Sequence, residues 1–302
     1  MDYLLAMRLF VRSVELGSFS RAASAYNLQV SSVSRHISNL ELDLGSTLLR
    51  RSTRQILLTD AGSNFYDRAT RILEDIEEAR RSASATASQP IGTLKLRAPT
   101  EFGDIYIVPA ISEFMALTPG LSIDLNLVDG DLDIGSSQYD LSILIGGEPE
   151  DTRFYSQKFA PNRYAICCAP SYIARASEPK FPSALRDHNC LLHGDHETWQ
   201  FGSNRSTVEV AVTVAGNFRS NRLSGVLAAT LAGDGFARLP YWLAGSRLRD
   251  GTLIRVLTNY EVTSADTLIY GLYPEKSSAS PKVRVFLEYF MGKIGAASPW
   301  ES

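Results

Sequence analysis

Residues 18–62, SFSRAASAYNLQVSSVSRHISNLELDLGSTLLRRSTRQILLTDAG, decide how the chain is read. Ser20 is placed to cap a small-residue helix, Arg21 to Tyr26, whose alanines let a neighbour approach closely. Asn27 follows, the residue after Gly best suited to the left-handed conformation that ends a helix. A second helix is predicted from about Val30 to Leu44, because Val33, Ile37, Leu40 and Leu44 recur at spacings of four, three and four on one face. Gly45 stops it. The opposite face carries Ser31, Ser34, Arg35 and Ser38, with Val30 and Ser32 beside them. Short donors and acceptors plus one long guanidinium suit base edges in a major groove. A hairpin then places Arg50, Arg51 and Arg54 around a Ser52-Thr53 tip, where they can meet phosphates.

The pattern F-S-x-A-A, then S-x-V-S-R-x-I-x-x-L-E-x-x-L-G, then L-L-x-R-x-T-R-x-x-x-L-T-x-A-G runs from Phe19 to Gly62. It resembles the winged helix-turn-helix of the LysR-type transcriptional regulators. Two positions depart from that family's habit: Val30 stands where many members have Gln, and Ser31 where many have Pro. Val30 cannot hydrogen-bond a base and is limited to a thymine methyl. The resemblance implies double-stranded DNA as partner, with Val30, Ser31, Ser32, Ser34, Arg35, Arg50, Arg51 and Arg54 as the contacting set.

The net charge of −3 over 302 residues argues by itself against a nucleic-acid binder, but its distribution does not. Residues 1–59 hold seven Arg against four acids, a surplus of three, so the remaining chain carries −6. A locally basic head on an acidic body fits DNA binding by one small domain. The N-terminus lacks a basic n-region and a cleavage site, and no apolar run approaches the ~20 residues that span a bilayer, so the cytoplasm is the expected location, with no membrane partner. Three cysteines give no disulfide framework.

Before this stretch, a helix from Tyr3 to Leu16 carries Leu4, Met7, Val11 and Val14 on one stripe. After it, Thr59 caps a long helix expected from Asp60 to about Ala87. Phe65, Ala69, Ile72, Ile76, Ala79 and Ala83 repeat at alternating spacings of four and three, as in a coiled-coil seam. Such a stripe needs a partner helix, most economically a second copy, or else a groove on the body. The resemblance implies the former, a homodimer or dimer of dimers. Ser82 to Pro90 reads as a hinge. The expected domains are thus a DNA-binding head (1–59), a linker (60–90) and an effector domain (91–302).

From Ile91 the order strand, helix, strand, short helix, strand is that of an α/β domain. A second lobe is expected near Asn162, with strands at 164–169, 191–192, 208–214 and 253–257 and a helix at 222–232. The resemblance, supported by Gly92, Leu94, Ala98, Pro99, Phe102-Gly103, His188, Cys190, Leu191 and Pro240, implies a two-lobe α/β domain like a periplasmic binding protein. Lobe I would take 91–161 and 267–302, and lobe II 162–266. The fold class is then multidomain: a winged helix-turn-helix, a linker helix and a two-lobe α/β domain.

The turn Pro99-Thr100-Glu101-Phe102 ends a strand and opens a helix, where free backbone N–H groups attract anions. Phe102 is expected as an apolar wall, and Asp129, Gly146 and Gly147 end the next two strands on the same edge. A small organic effector is therefore expected there. Glu101 either disfavours an anionic effector or stabilises a helix start. Asp234 and Arg238, where relatives usually have apolar residues, are exposed, paired with each other, or turned to a ligand. His188, Cys190, His193 and His196 match no common zinc spacing, so no metal or other cofactor is expected. Cys167 and Cys168 read as strand residues on opposite faces. No catalytic elbow, P-loop or dinucleotide fingerprint occurs, so an enzyme is the weaker reading. The expected function, as the resemblance implies, is effector-modulated transcriptional regulation. The alternative is a two-lobe solute-binding protein or enzyme with a vestigial head.

Overall fold

The computed structural model describes the chain except residues 1, 52–55, 83–89, 130–137, 148–152, 204–205, 264–266, 275–279, 295–297 and 301–302. It forms two compact units, Met1–Ser88 and Gln89–Ser302.

The first unit contains α1 (Tyr3–Glu15), α2 (Phe19–Ala25), α3 (Val30–Leu44), the hairpin β1 (Leu49–Arg51) and β2 (Ile56–Leu58), and α4 (Asp60–Ser82). The cap of α2 is Ser18 rather than Ser20: its extended backbone lets its hydroxyl accept from the Arg21 N–H at 3.3 Å, whereas Ser20 is already inside the helix. Asn27 takes the left-handed conformation with φ 53°, and Gly45 ends α3 at φ 62°. Val33, Ile37 and Leu40 are fully buried against Ala6, Leu9 and Phe10, while Leu44 in the last turn stays exposed. Glu41 ties α3 to the hairpin: one carboxylate oxygen accepts from the N–H groups of Leu48 at 2.8 Å and Leu49 at 3.0 Å. Gly62 sits so close to that strand that a Cβ would lie 1.9 Å from the Leu48 carbonyl oxygen, which no side chain tolerates. The Thr59 hydroxyl accepts from the Gly62 N–H at 2.9 Å and so caps α4.

The α4 stripe divides in a way that its spacing does not reveal. Ala69 is buried in the core of this unit and Phe65 stacks edge-on against Phe10 at 5.5 Å. Glu77 pairs with Arg8 of α1. Two of the seam positions thus cover α1, whereas Ile72 remains 45% exposed. The side chains at Ala79 and Ala83 lie outside the described residues.

In the second unit β3 (Gly92–Pro99) leads into α5 (Thr100–Phe102), a π-helical stretch Gly103–Ile107 and α6 (Val108–Leu117). There follow β4 (Leu121–Val128), β5 (Leu141–Gly146), β6 (Phe154–Pro161), β7 (Tyr164–Cys168), α7 (Pro170–Ile173) and a 3-10 turn Pro182–Asp187. Next come β8 (Cys190–His193), β9 (Thr198–Ser203), β10 (Ser206–Thr213), β11 (Arg219–Ser220), α8 (Leu223–Ala232), β12 (Phe236–Pro240) and α9 (Tyr241–Arg249). The chain ends with β13 (Ile254–Val256), β14 (Tyr260–Thr263), β15 (Leu268–Pro274) and α10 (Pro281–Ile294).

One sheet has the order β4-β3-β5-β15-β6, parallel where β3 meets β4 and β5 and antiparallel around β15. The other runs β10-β9-β14-β7-β12-β8-β11, with β13 also on β7. The chain therefore crosses to the second sheet after β6 and returns with β15, which makes two lobes. Asn162 marks the crossing: its amide donates to Thr267 Oγ1 at 3.3 Å and its side-chain oxygen accepts from Trp242 Nε1 at 3.0 Å. Cys167 belongs to one hydrophobic core and Cys168 to the other, as alternation along β7 requires.

Candidate DNA-reading face and effector cleft

On the first unit, burial of one face of α3 leaves the other to solvent. Ser31 and Arg35 are exposed, Val30 is 44% exposed, and Ser32 and Ser34 are half-buried. Arg50 is exposed on β1, opposite Leu57. Arg51 ends β1 with its side chain outside the described residues, and Arg54 lies wholly outside them. Arg35 enters no ion pair among the described residues. Hydroxyls, one methyl-bearing chain and an unengaged guanidinium on a rigid helix form a surface that can enter a groove without first breaking internal contacts.

In the second unit the carboxyl ends of β3, β4 and β5 face lobe II across a cavity of about 350 Å³. Pro99, Thr100, Glu101 and Asp129 line it from lobe I. At the end of β5 the wall is Leu144 and Ile145 rather than Gly146 and Gly147, since glycines have no side chain to extend inward. Phe102 is not a wall of this cavity. It is fully buried, against Tyr106 at 5.1 Å, Trp242 at 5.5 Å and Trp300 at 6.0 Å. Two residues along a helix turn a side chain by about 200°, so Thr100 and Phe102 point to different sides.

From lobe II, Tyr164, His193, His196, Arg222 and Arg238 all line the cavity; of these the sequence offered only Arg238 as a ligand contact, as one of three alternatives. Glu101 reaches across to them. Its carboxylate accepts from the Ser224 N–H at 2.7 Å, in the first turn of α8. Arg222 stands 3.8 Å from Glu101 and 3.5 Å from Asp129, which closes a three-membered ionic cluster between the lobes. Glu101 therefore stabilises a helix start, but that of the opposite lobe.

Arg238 and Asp234 do not meet. Asp234 is exposed, whereas Arg238 is half-buried with its guanidinium 4.9 Å above the Tyr164 ring. Burial lowers the Arg238 pKa from its ordinary value. His193 and His196 stack with ring centroids 6.1 Å apart, and His193 Nε2 lies 3.2 Å from the Asn221 carbonyl oxygen. Burial, more than any neighbour, holds the His193 pKa below its usual value. The other half of the His/Cys run lies elsewhere: His188 packs on Phe236 at 5.0 Å, and burial pushes the Cys190 thiol up to about 12. No group of three metal-ligating side chains gathers among the described residues. The one legible hint of this wall was Arg238, a charge in mid-strand where relatives usually have an apolar residue.

A winged helix-turn-helix together with a two-lobed domain whose lobes enclose a ligand-sized cleft defines the class of ligand-responsive DNA-binding proteins. The chain belongs to the LysR family: residues 4–63 match the bacterial regulatory helix-turn-helix protein model of that family, and residues 87–294 match the LysR substrate binding domain. It is 32% identical to the HTH-type transcriptional regulator YhjC of Escherichia coli (strain K12), over 97% of this chain and 98% of that one. It is 30% identical to the transcriptional activator TtdR of the same organism, over 94% and 91% respectively. Among solved structures it is similar to the full-length Vibrio cholerae virulence activator AphB (26% identity, TM-score 0.59, covering 97% of this chain and 99% of that one). It is likewise similar to the LysR-type regulator CrgA of Neisseria meningitidis (26% identity, TM-score 0.61, 96% and 98%). No helix among the described residues is long and apolar enough to cross a membrane.

Proposed function

We propose that this protein regulates transcription by laying α3 into the major groove of a two-fold DNA site, as a homodimer or dimer of dimers acting in the cytoplasm. Arg35 and the serines around it read base edges, while Arg50, Arg51 and Arg54 hold phosphates. A small organic effector between the lobes, against Pro99 and Thr100, shifts their closure and with it the spacing of the reading heads. The observation that carries this reading is the face of α3 with Ser31 and Arg35 exposed, opposite the fully buried Val33, Ile37 and Leu40. The alternative of a solute-binding protein or enzyme with a vestigial head has less support, because the relatives are similar over the whole chain and are regulators.

Binding assays on operator and random DNA at several salt concentrations test the division of roles. Arg51→Ala or Arg54→Ala should weaken both equally and reduce the salt slope by about one, as loss of a phosphate contact does. Arg35→Ala should cost ~1–3 kcal/mol at one base position and leave random DNA nearly unchanged. Equal losses on both DNAs for all three variants would remove Arg35 from base readout.

A further inference from the structure

The charges around the cleft are unevenly matched. At the mouth Arg222 lies between Glu101 and Asp129, and Glu101 is further held by the Ser224 N–H. Deeper in lobe II, Arg238 forms no ion pair among the described residues, and its guanidinium rests over the face of Tyr164. Its flanking residues Ala237 and Leu239 are fully buried, so the strand fixes Arg238 to the opposite face and it cannot withdraw to bulk water. A ring face is a weaker partner for a desolvated guanidinium than an oxyanion is, and five N–H donors in a planar fork exceed what one ring satisfies. His193, which also lines the wall, is held toward neutrality and so does not contend for an anion.

We propose that the effector is a small organic carboxylate whose carboxyl group pairs with Arg238, with its body against Trp199 and the apolar ends of β5. This rests on the cleft being the effector site. The planar fork of arginine matches a carboxylate with two parallel hydrogen bonds, which fixes the orientation of the ligand as well as its charge. Leu144, Ile145 and Trp199 supply apolar walls, and about 350 Å³ admits a compact molecule rather than a polymer. The same arrangement explains why an unpaired cation is kept in a half-buried position: without ligand it is a cost to the fold, and with ligand it is the contact that discriminates.

The test uses the full-length protein in thermal-shift and operator gel-shift assays, with a panel of three- to eight-carbon carboxylates, benzoate among them, each matched with its primary amide. Carboxylates should raise the melting temperature of the wild type where their amides do not. Arg238→Met should bind the responding carboxylate about 10- to 100-fold more weakly, the loss expected for hydrogen bonds to a charged group. Arg238→Lys, which keeps the charge without the fork, should fall between. Without ligand, Arg238→Met should melt at the same temperature as the wild type or above it. Amides as effective as carboxylates, no carboxylate response at all, an equal response to inorganic phosphate, or an undiminished response in Arg238→Met would each overturn the proposal. Amide responses that vanish in the cleft-filling variant Thr100→Trp would leave the effector cleft standing and remove only the carboxylate. A carboxylate that binds through Arg238 without altering operator affinity would do the reverse.

Discussion

Arg35 of the recognition helix and Arg238 of the cleft both stand without an ion pair among the described residues, in opposite surroundings. Arg35 is in solvent, where an unpaired guanidinium is fully hydrated and costs the fold nothing. Arg238 has lost much of that hydration and, among the described residues, has the Tyr164 face in return. The first can wait for a polyanion that replaces water and counterions along a whole groove. The second can be satisfied only by something small that enters the cavity. Placement, rather than residue type, separates a reading head from a sensing cleft.

The sharpest break of this contrast lies in α4, where neighbouring positions have opposite exposure. Ala69→Asp would bury a carboxylate in the core of the first unit, at a cost on the order of 3–5 kcal/mol, and should unfold it. Ile72→Asp with Ile76→Asp should spare that core, because Ile72 is 45% exposed. If α4 holds a dimer through this remaining stripe, light scattering should show smaller particles with both units folded. Unchanged particles from a folded double variant would place self-association elsewhere.

The cross-lobe cluster comes next in size. Glu101→Gln keeps the shape of the side chain but removes the charge that meets the Ser224 N–H and Arg222. A loss of about 1 kcal/mol is expected, since Arg222 is largely in water and the cap bond survives in weakened form. Urea titration followed by near-ultraviolet circular dichroism, dominated by the tryptophans of the second unit, measures it. An unchanged midpoint would mean that the cluster orders side chains without holding the lobes.

Legibility in the sequence followed the same contrast. The head was readable because its elements are helices with regular apolar spacing and its contacts are local, and even there the cap shifted from Ser20 to Ser18. A helix start is set by backbone conformation, and two serines in SFS offer it equally well. In the cleft, the lobe I turn at Pro99-Thr100 was readable as a strand-to-helix junction. Tyr164, His193 and Arg222 were not, and Arg238 only as one of three alternatives, because they come from separate strands and loops that the side-by-side pairing of β7, β12 and β8 brings to one wall. Phe102 failed for a simpler reason: a helix of three residues carries no periodicity from which an inward side can be told.

The smallest expected effect concerns His193, the neutral neighbour of Arg238. Burial is the main cause of its lowered pKa, with His196 and Arg238 adding to it and the Asn221 carbonyl and Glu101 opposing it. A histidine whose pKa is lower in the folded than in the unfolded chain takes up its proton first on unfolding. Its contribution to stability is therefore complete above the ordinary value of 6.5 and is lost as pH falls below that point toward the folded value. The melting temperature of the second unit should accordingly fall more steeply with acidification in the wild type than in His193→Gln, with the two curves parallel above neutrality. Arg238→Met should remove only part of that difference, because burial remains when the neighbouring charge is gone. Curves that stay parallel down to pH 5 would show that His193 ionises in the folded cleft as freely as in water, and the wall around Arg238 would then be wetter than its burial implies.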